Sequence, residues 1–333
     1  MRQFTYTRAD SQANAVSAHA GQPASYLAGG TTLIDLVKLD IMQPERVVDV
    51  NRLPLAEIEA LDDQRLKIGA TVRNTALAYD ERVQNDYAVL SEALLQGASR
   101  QLRNRATTGG NVMQRVRCGY FRDGVSDCNK REPGSGCAAI GGHNREVFAV
   151  LGTSESCIAV HPSDMCVAMA AIGATVQVSG PDGDREIDFL DFHKMPGDTP
   201  HIEHDLKDSE LITHVTLDAP IEGAGSTYIK LRDRSSYQFA LASCAAIVSL
   251  DGDKVANARI ALGGVGTKPW RCSEAERALV GQPATRESFK TAAGIAMQGA
   301  TPYKHNAFKI PLARKAIVRA LSDATARAQG DTA

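Results

Sequence analysis

Hydrophobic positions along this chain change their spacing repeatedly, and each change predicts an element. Ser25–Ala28 alternates as a short strand, and Gly29–Thr32 then lead into a helical pattern carried by Ile34, Leu36, Val37 and Ile41. Pro44 closes that helix, because a proline cannot continue it, and Arg46–Val50 (RVVDV) follows as a buried strand. Leu66–Ala70 is a further short strand after a charged turn at Asp62–Asp63, and Tyr87–Gly97 is a helix with Leu90, Leu94 and Leu95 on one face. Ser163–Ala171 predicts a buried helix with Ser163 as its N-cap. Thr175–Ser179 and Arg185–Ile187 flank Gly-Pro-Asp-Gly-Asp, a hairpin signal. From Glu222 the pattern changes to antiparallel strands at Ser226–Leu231, Ala242–Leu250 and Val255–Leu262, the last two joined by Asp-Gly-Asp. From Glu274 onward the chain reads as helical and rich in Ala, Lys and Arg, ending in a polar tail, Gln329–Ala333.

Between these patterned regions lies a segment with neither period. Cys118, Cys128, Cys137 and Cys157 fall in it, separated by nine, eight and nineteen residues, among many Gly, Ser, Asp and Asn. A loop this long inside a compact domain is expected to be functional or disordered. Thiolates on irregular backbone suit a soft metal centre. The wide gaps, with no CxxC, argue against a zinc finger or ribbon, whose ligands come in close pairs. On chemistry alone an iron–sulfur cluster leads, with zinc, disulfides and unconnected thiols as alternatives. Cys166, Cys244 and Cys272 sit in apolar elements or beside Trp270 and read as small buried side chains.

Composition narrows the picture modestly. The 333 residues are 43% hydrophobic and 23% charged, as expected for a globular protein of two or three domains. A net charge of −2 gives no overall electrostatic case for nucleic acid or membrane binding, and no apolar run reaches transmembrane length. Arg100, Arg103, Arg105, Arg115 and Arg117 form a local basic run without the aromatic interleaving of a nucleic-acid module. The N-terminal MRQFTYTRAD lacks the charged-then-apolar pattern of a secretory signal. Seven cysteines without one suggest folding in a reducing compartment, although export on a partner's signal would look the same.

Two glycine pairs carry the next signal. Gly29 and Gly30 join a strand to a helix, where bare backbone and free N–H groups admit an anionic group, and Thr31 and Thr32 add hydroxyl donors. Thr107-Thr108-Gly109-Gly110-Asn111 follows a helix and precedes the cysteine segment. Neither fits a GxGxxG or GxxxxGK[ST] fingerprint, and a lone Gly-Gly pair is more often a tight turn. Two of them in one domain suit a dinucleotide, which has a pyrophosphate and two sugars to hold.

With these motifs in order, the chain resembles the flavin-binding subunit of the molybdenum hydroxylases, the xanthine dehydrogenase and aldehyde oxidoreductase family. AGGTTLIDLVK resembles the family's first FAD loop, RVVDVNRL the strand after it, ATTGGNV the second loop and HPSDM a third contact segment. YIKLRDRSSYQFALAS and ALGGVGTKPWR resemble parts of its C-terminal domain. The cysteine segment departs from most members, which have a short connection there. It resembles the periplasmic aldehyde oxidoreductase branch, whose flavin subunit holds a [4Fe–4S] cluster, with 4-hydroxybenzoyl-CoA reductase the nearest alternative.

The resemblance implies an α+β fold: a two-part FAD-binding domain of the vanillyl-alcohol-oxidase/PCMH type and a C-terminal domain with an antiparallel sheet and helices. It divides the chain into subdomains 1–60 and 61–221, with the cluster loop at 115–158, and a domain at 222–333. It implies FAD held by Leu27, Ala28, Gly29, Gly30, Thr31, Thr32, Leu33 and Ile34 at the pyrophosphate, and by Thr107, Thr108, Gly110 and Asn111 near the phosphates and ribityl chain. Asp164 would accept from ribose or ribityl hydroxyls, and Lys230 would lie near the flavin ring. Unaided, Asp164 reads as a helix-start carboxylate and Lys230 as a solvated strand lysine. Cys118, Cys128, Cys137 and Cys157 would bind the [4Fe–4S] cluster.

The implied function is electron transfer inside a larger enzyme. A molybdenum subunit oxidises an aldehyde, [2Fe–2S] centres on a small subunit pass the electrons on, and this FAD delivers them to an external acceptor. The implied assembly is a heterotrimer in the periplasm, exported on a partner's signal, or alternatively in the cytoplasm. A xanthine dehydrogenase-type flavin subunit, a stand-alone flavin oxidoreductase of the same fold and a metal-stabilised interaction subunit remain competing classes.

Overall fold

Three sheets organise the chain, and the computed structural model describes residues 1–330. Of the polar tail Gln329–Ala333, residues 331–333 lie outside the described residues. The first sheet is parallel, with Arg46–Asp49 between Thr5–Arg8 and Ala24–Leu27. Parallel neighbours need a crossover, and the helices Gln12–His19 and Leu33–Lys38 lie in the two connections. Ser11 starts the former by accepting from the Asn14 N–H at 3.2 Å. The helix expected to reach Ile41 stops at Lys38 instead. Asp40 turns left-handed at φ 61°, and the N–H groups of Ile41 and Met42 both return to the Leu36 carbonyl.

The second sheet is antiparallel and runs Ile58–Ala60, Leu66–Gly69, Leu211–Leu217, Ala174–Gly180, Gly183–Asp188 in spatial order. It begins at Ile58, so its first strand lies within the segment 1–60. Its central strand, Leu211–Leu217, was not among the expected elements. Six of its seven residues are buried, on both faces, so the polar–apolar alternation of a one-sided strand is missing. The helix Asp164–Ile172 is buried along its whole length and packs with Ala88–Gln96 into the core of this sheet. Ser163 caps it, accepting from the Cys166 N–H at 3.1 Å.

The third sheet, Gly225–Leu231, Ala242–Asp251, Lys254–Gly263 and Trp270–Arg271, is also antiparallel. The final helix, Lys309–Ala328, covers it, with Ala313, Ala316, Ile317, Ala320, Leu321 and Ala324 in the shared core. Small residues let helix and strand approach closely: a Cβ on Gly225 would collide with the Ala324 carbonyl.

The cysteine segment is more ordered than its lack of periodicity implied. Single-turn helices at Gly119–Arg122 and Ala138–Gly141 start immediately after Cys118 and Cys137. Cys128 and Cys137 face each other across an isolated antiparallel bridge. Leu36, Val116, Phe121, Phe148 and Ile158 form a small core around the thiols. Four-residue helices are too short to register as a hydrophobic period. Among the described residues, no helix is long and apolar enough to cross a membrane.

Candidate functional site

The two glycine segments lie back to back. A Cβ on Gly29 would collide with the Arg105 carbonyl just before the second segment, and Gly30 adopts φ 75°, which side chains disfavour. Asn51 fastens the first turn, donating to the carbonyls of Leu27 at 3.2 Å and Ala28 at 2.9 Å. Arg73 holds Asn51 Oδ1 at 3.0 Å and reaches the Arg105 carbonyl at 2.6 Å, clamping the two turns together. The second segment is a short helix rather than a loop: Thr107 caps Thr108–Val112, accepting from the Gly110 N–H at 3.3 Å.

Between these turns and the segment His193–Ile212 opens a cleft of about 570 Å³, within the size range of cofactor sites. Ala28, Gly29, Gly30, Thr31, Thr32, Leu33, Thr107 and Gly110 line it, as does Gly109. Leu27, Ile34, Thr108 and Asn111 stand behind that lining. Asn111 instead accepts from the Ser163 hydroxyl at 2.7 Å. Asp164 and Lys230 also lie outside it, paired with each other at 2.7 Å and buried. The second Asp164 oxygen accepts from Tyr228 at 2.6 Å. Burial and this carboxylate push the Tyr228 hydroxyl well above its ordinary pKa.

His161, four residues after Cys157, reads from the sequence as a surface histidine but is buried at the cleft, and three further lining residues had no sequence signal. Thr71, His161, His193 and His204 all face the cleft, and each has a buried polar atom without a partner. Buried polar atoms are ordinarily satisfied, so this wall has spare hydrogen-bonding capacity, as a polar cofactor requires. Burial lowers the pKa of His193 to about 4 and that of His161 well below its ordinary value, so both are neutral near pH 7. His193 donates from Nε2 to the Val112 carbonyl at 3.1 Å, leaving Nδ1 as a bare acceptor. Backbone approach at the glycines, hydroxyls and unpaired polar atoms on one cleft fit a flavin dinucleotide.

Cys118, Cys128, Cys137 and Cys157 converge on one adjoining cavity, and all are free thiols. Burial raises the Cys118 thiol to about 12, against backbone N–H groups of Phe121 and Tyr120 that favour its thiolate. Burial likewise raises Cys137 and Cys157. Four sulfur donors lining one cavity fit an iron–sulfur centre. Cys166 lies elsewhere, inside its helix. The arginine run is dispersed: Arg115 pairs with Glu203 at 2.6 Å beside the cleft, whereas Arg117 and Arg122 converge on Asp35 at 3.2 and 2.8 Å.

Cleft, turns and sheets together define a flavin-binding protein built as a two-sheet cofactor domain with a separate C-terminal domain. The family described as the FAD binding domain in molybdopterin dehydrogenase matches residues 2–219, and the CO dehydrogenase flavoprotein C-terminal domain matches residues 226–324. The chain belongs to this family of flavin subunits. It is 49% identical to the aldehyde oxidoreductase FAD-binding subunit PaoB of Escherichia coli, over 98% of this chain and 100% of that one. It is 27% identical to the carbon monoxide dehydrogenase medium chain of Hydrogenophaga pseudoflava, over 95% of this chain and 94% of the other. A solved structure of carbon monoxide dehydrogenase from the same organism superposes with a TM-score of 0.77 at 27% identity, covering 98% of both chains. Quinoline 2-oxidoreductase from Pseudomonas putida superposes with a TM-score of 0.75 at 25% identity, over 99% of this chain and 98% of that one.

Proposed function

We propose that this chain is the FAD- and [4Fe–4S]-binding electron-transfer subunit of a molybdenum-dependent aldehyde oxidoreductase. The observation that carries the reading is 49% identity along nearly the whole chain to an aldehyde oxidoreductase FAD-binding subunit, in a protein whose glycine turns border a dinucleotide-sized cleft. Within that assignment, Ala28–Leu33, Thr107 and Gly110 hold the pyrophosphate end, and His161, His193 and His204 offer polar atoms to the rest of the cofactor. Asp164 and Lys230 support the site from behind as a neutralised pair. Cys118, Cys128, Cys137 and Cys157 ligate the cluster.

FAD supplies the step from one-electron donors to a two-electron acceptor, while the protein orients it and sets its potential. Aldehyde oxidation belongs to a molybdenum subunit, and a [2Fe–2S] subunit delivers the electrons, so the working unit is a heterotrimer. We assign it to the periplasm. A periplasm has no NADH pool, and we therefore infer a quinone, a redox protein or a dye substitute as acceptor. Assaying the assembled complex with an aromatic aldehyde tests this: dye reduction without NAD reduction is expected. Robust NAD reduction would overturn the acceptor and compartment assignments, and no aldehyde oxidation with any acceptor would overturn the enzyme assignment.

A further inference from the structure

We propose that Lys130 sets the redox balance across the wall between the cysteine cavity and the flavin cleft. The inference rests on the functional reading above, in which the first holds the cluster and the second holds FAD. Val116, Lys130, Cys157 and Ala159 line both spaces, so the wall is a single layer of side chains. Lys130 is the charged member of that layer. Its side chain is only 8% exposed, donates to the Pro200 carbonyl at 2.7 Å and pairs with Glu203 at 3.3 Å.

Glu203 is already engaged by Arg115 at 2.6 Å, so one carboxylate serves two cations and the group carries a surplus positive charge. Burial alone would raise the Glu203 carboxyl, but Arg115 and Lys130 outweigh it and hold it below its ordinary value, keeping it anionic. The neighbouring His161 and His193 are neutral and leave the surplus unchanged. A buried cation without full compensation is costly. Anionic centres on both sides of the wall would complete the balance.

A cluster held by four thiolates is anionic, and adding an electron to it, or to a flavin, increases negative charge nearby. A fixed cation therefore favours the reduced form on either side. Transfer across the wall would move one electron from the cluster, re-reduced by the [2Fe–2S] subunit, to the flavin, with no bond made or broken. Cys157 is the one proposed cluster ligand that lines both spaces.

Lys130→Met keeps the side-chain length and removes the charge, whereas Lys130→Arg keeps the charge. In the assembled holoenzyme, EPR-monitored titration reads the cluster potential and optical titration reads the flavin potential. Lys130→Met should make cluster reduction about tenfold less favourable, about 59 mV for a one-electron couple, and move the flavin in the same direction. Lys130→Arg should restore both, and Glu203→Gln should raise both by freeing the cations. An unmoved cluster potential in Lys130→Met, or a cluster shift with the flavin unchanged, overturns the proposal. If Lys130→Met fails to assemble, Glu203→Gln decides, and a potential that is unchanged or lowered there overturns it. Absence of any cluster signal in the unaltered protein refutes the functional reading itself, before a variant is made.

Discussion

Gly30→Val separates the flavin cradle from simple backbone strain. Gly30 sits at φ 75°, and an added Cβ would meet Ile34 Cγ1 and Leu27 Cδ1, each at 3.2 Å. A β-branched residue held at positive φ costs about 1–3 kcal/mol. Gly281 provides the control: it has φ 79°, and a Cβ there would meet nothing within 4 Å. Gly281→Val carries the same backbone penalty far from the cleft, so both variants should lose about 1–3 kcal/mol of stability and several degrees of Tm. Only Gly30→Val also crowds Leu27 and Ile34 behind the cleft and so distorts a turn that lines it. It should weaken FAD binding by more than tenfold, about 1.4 kcal/mol or more, whereas Gly281→Val should bind normally. The assay is flavin titration of the apoprotein, with thermal melts of both variants in the flavin-free state. Equal FAD affinity in the two variants would refute the cradle.

Other outcomes follow from the same geometry. Changing Cys118, Cys128, Cys137 or Cys157 to Ser should each lower iron content and abolish the reduced-state EPR signal, whereas Cys166→Ser, inside its buried helix, should retain both; iron loss in Cys166→Ser contradicts the ligand set. Burial depresses the folded-state pKa of His193 to about 4, below the unfolded value of about 6.5. The unfolded state therefore binds more protons in this window, and stability falls by about 3 kcal/mol as pH drops from about 6.5 to about 4. His193→Phe should flatten that part of the urea-derived stability profile, and an unchanged slope refutes the assignment. FAD held by backbone approach and hydrogen bonds in an open cleft should be released completely by heat or acid; flavin fluorescence remaining with the precipitated chain would contradict this.

Elements with a strong apolar or capping signal were legible from residues alone: the strand Arg46–Asp49, the helix Ala88–Gln96 with Leu90 and Leu94 inward, and the Ser163-capped helix. The hairpin strands at Ala174–Gly180 and Gly183–Asp188 were marked by their turn. Leu211–Leu217 was hidden because burial on both faces removes alternation. The first helix, Gln12–His19, was hidden because only Ala15 and Val16 are buried. At the site, adjacent residues were easier to find than distant ones. The glycine turns and the cysteines announce themselves by composition. The contributions of Lys130, Glu203 and His193 arise only when Leu211–Leu217 enters the middle of the second sheet and brings the preceding segment over the cleft. Asn51 lay inside a recognised stretch, yet its role as the fastener of the first turn needs the fold.

The most direct test of the two-cofactor account is the cofactor content of the purified chain in its complex. The partners' iron is removed from the comparison by separating the subunits anaerobically without denaturant. Metal analysis, released-flavin fluorescence and EPR of the reduced subunit should then give about four iron atoms and one FAD per chain, as one four-cysteine [4Fe–4S] ligand set and one dinucleotide cleft require. Flavin with no iron, or zinc in place of iron at the four cysteines, would contradict it.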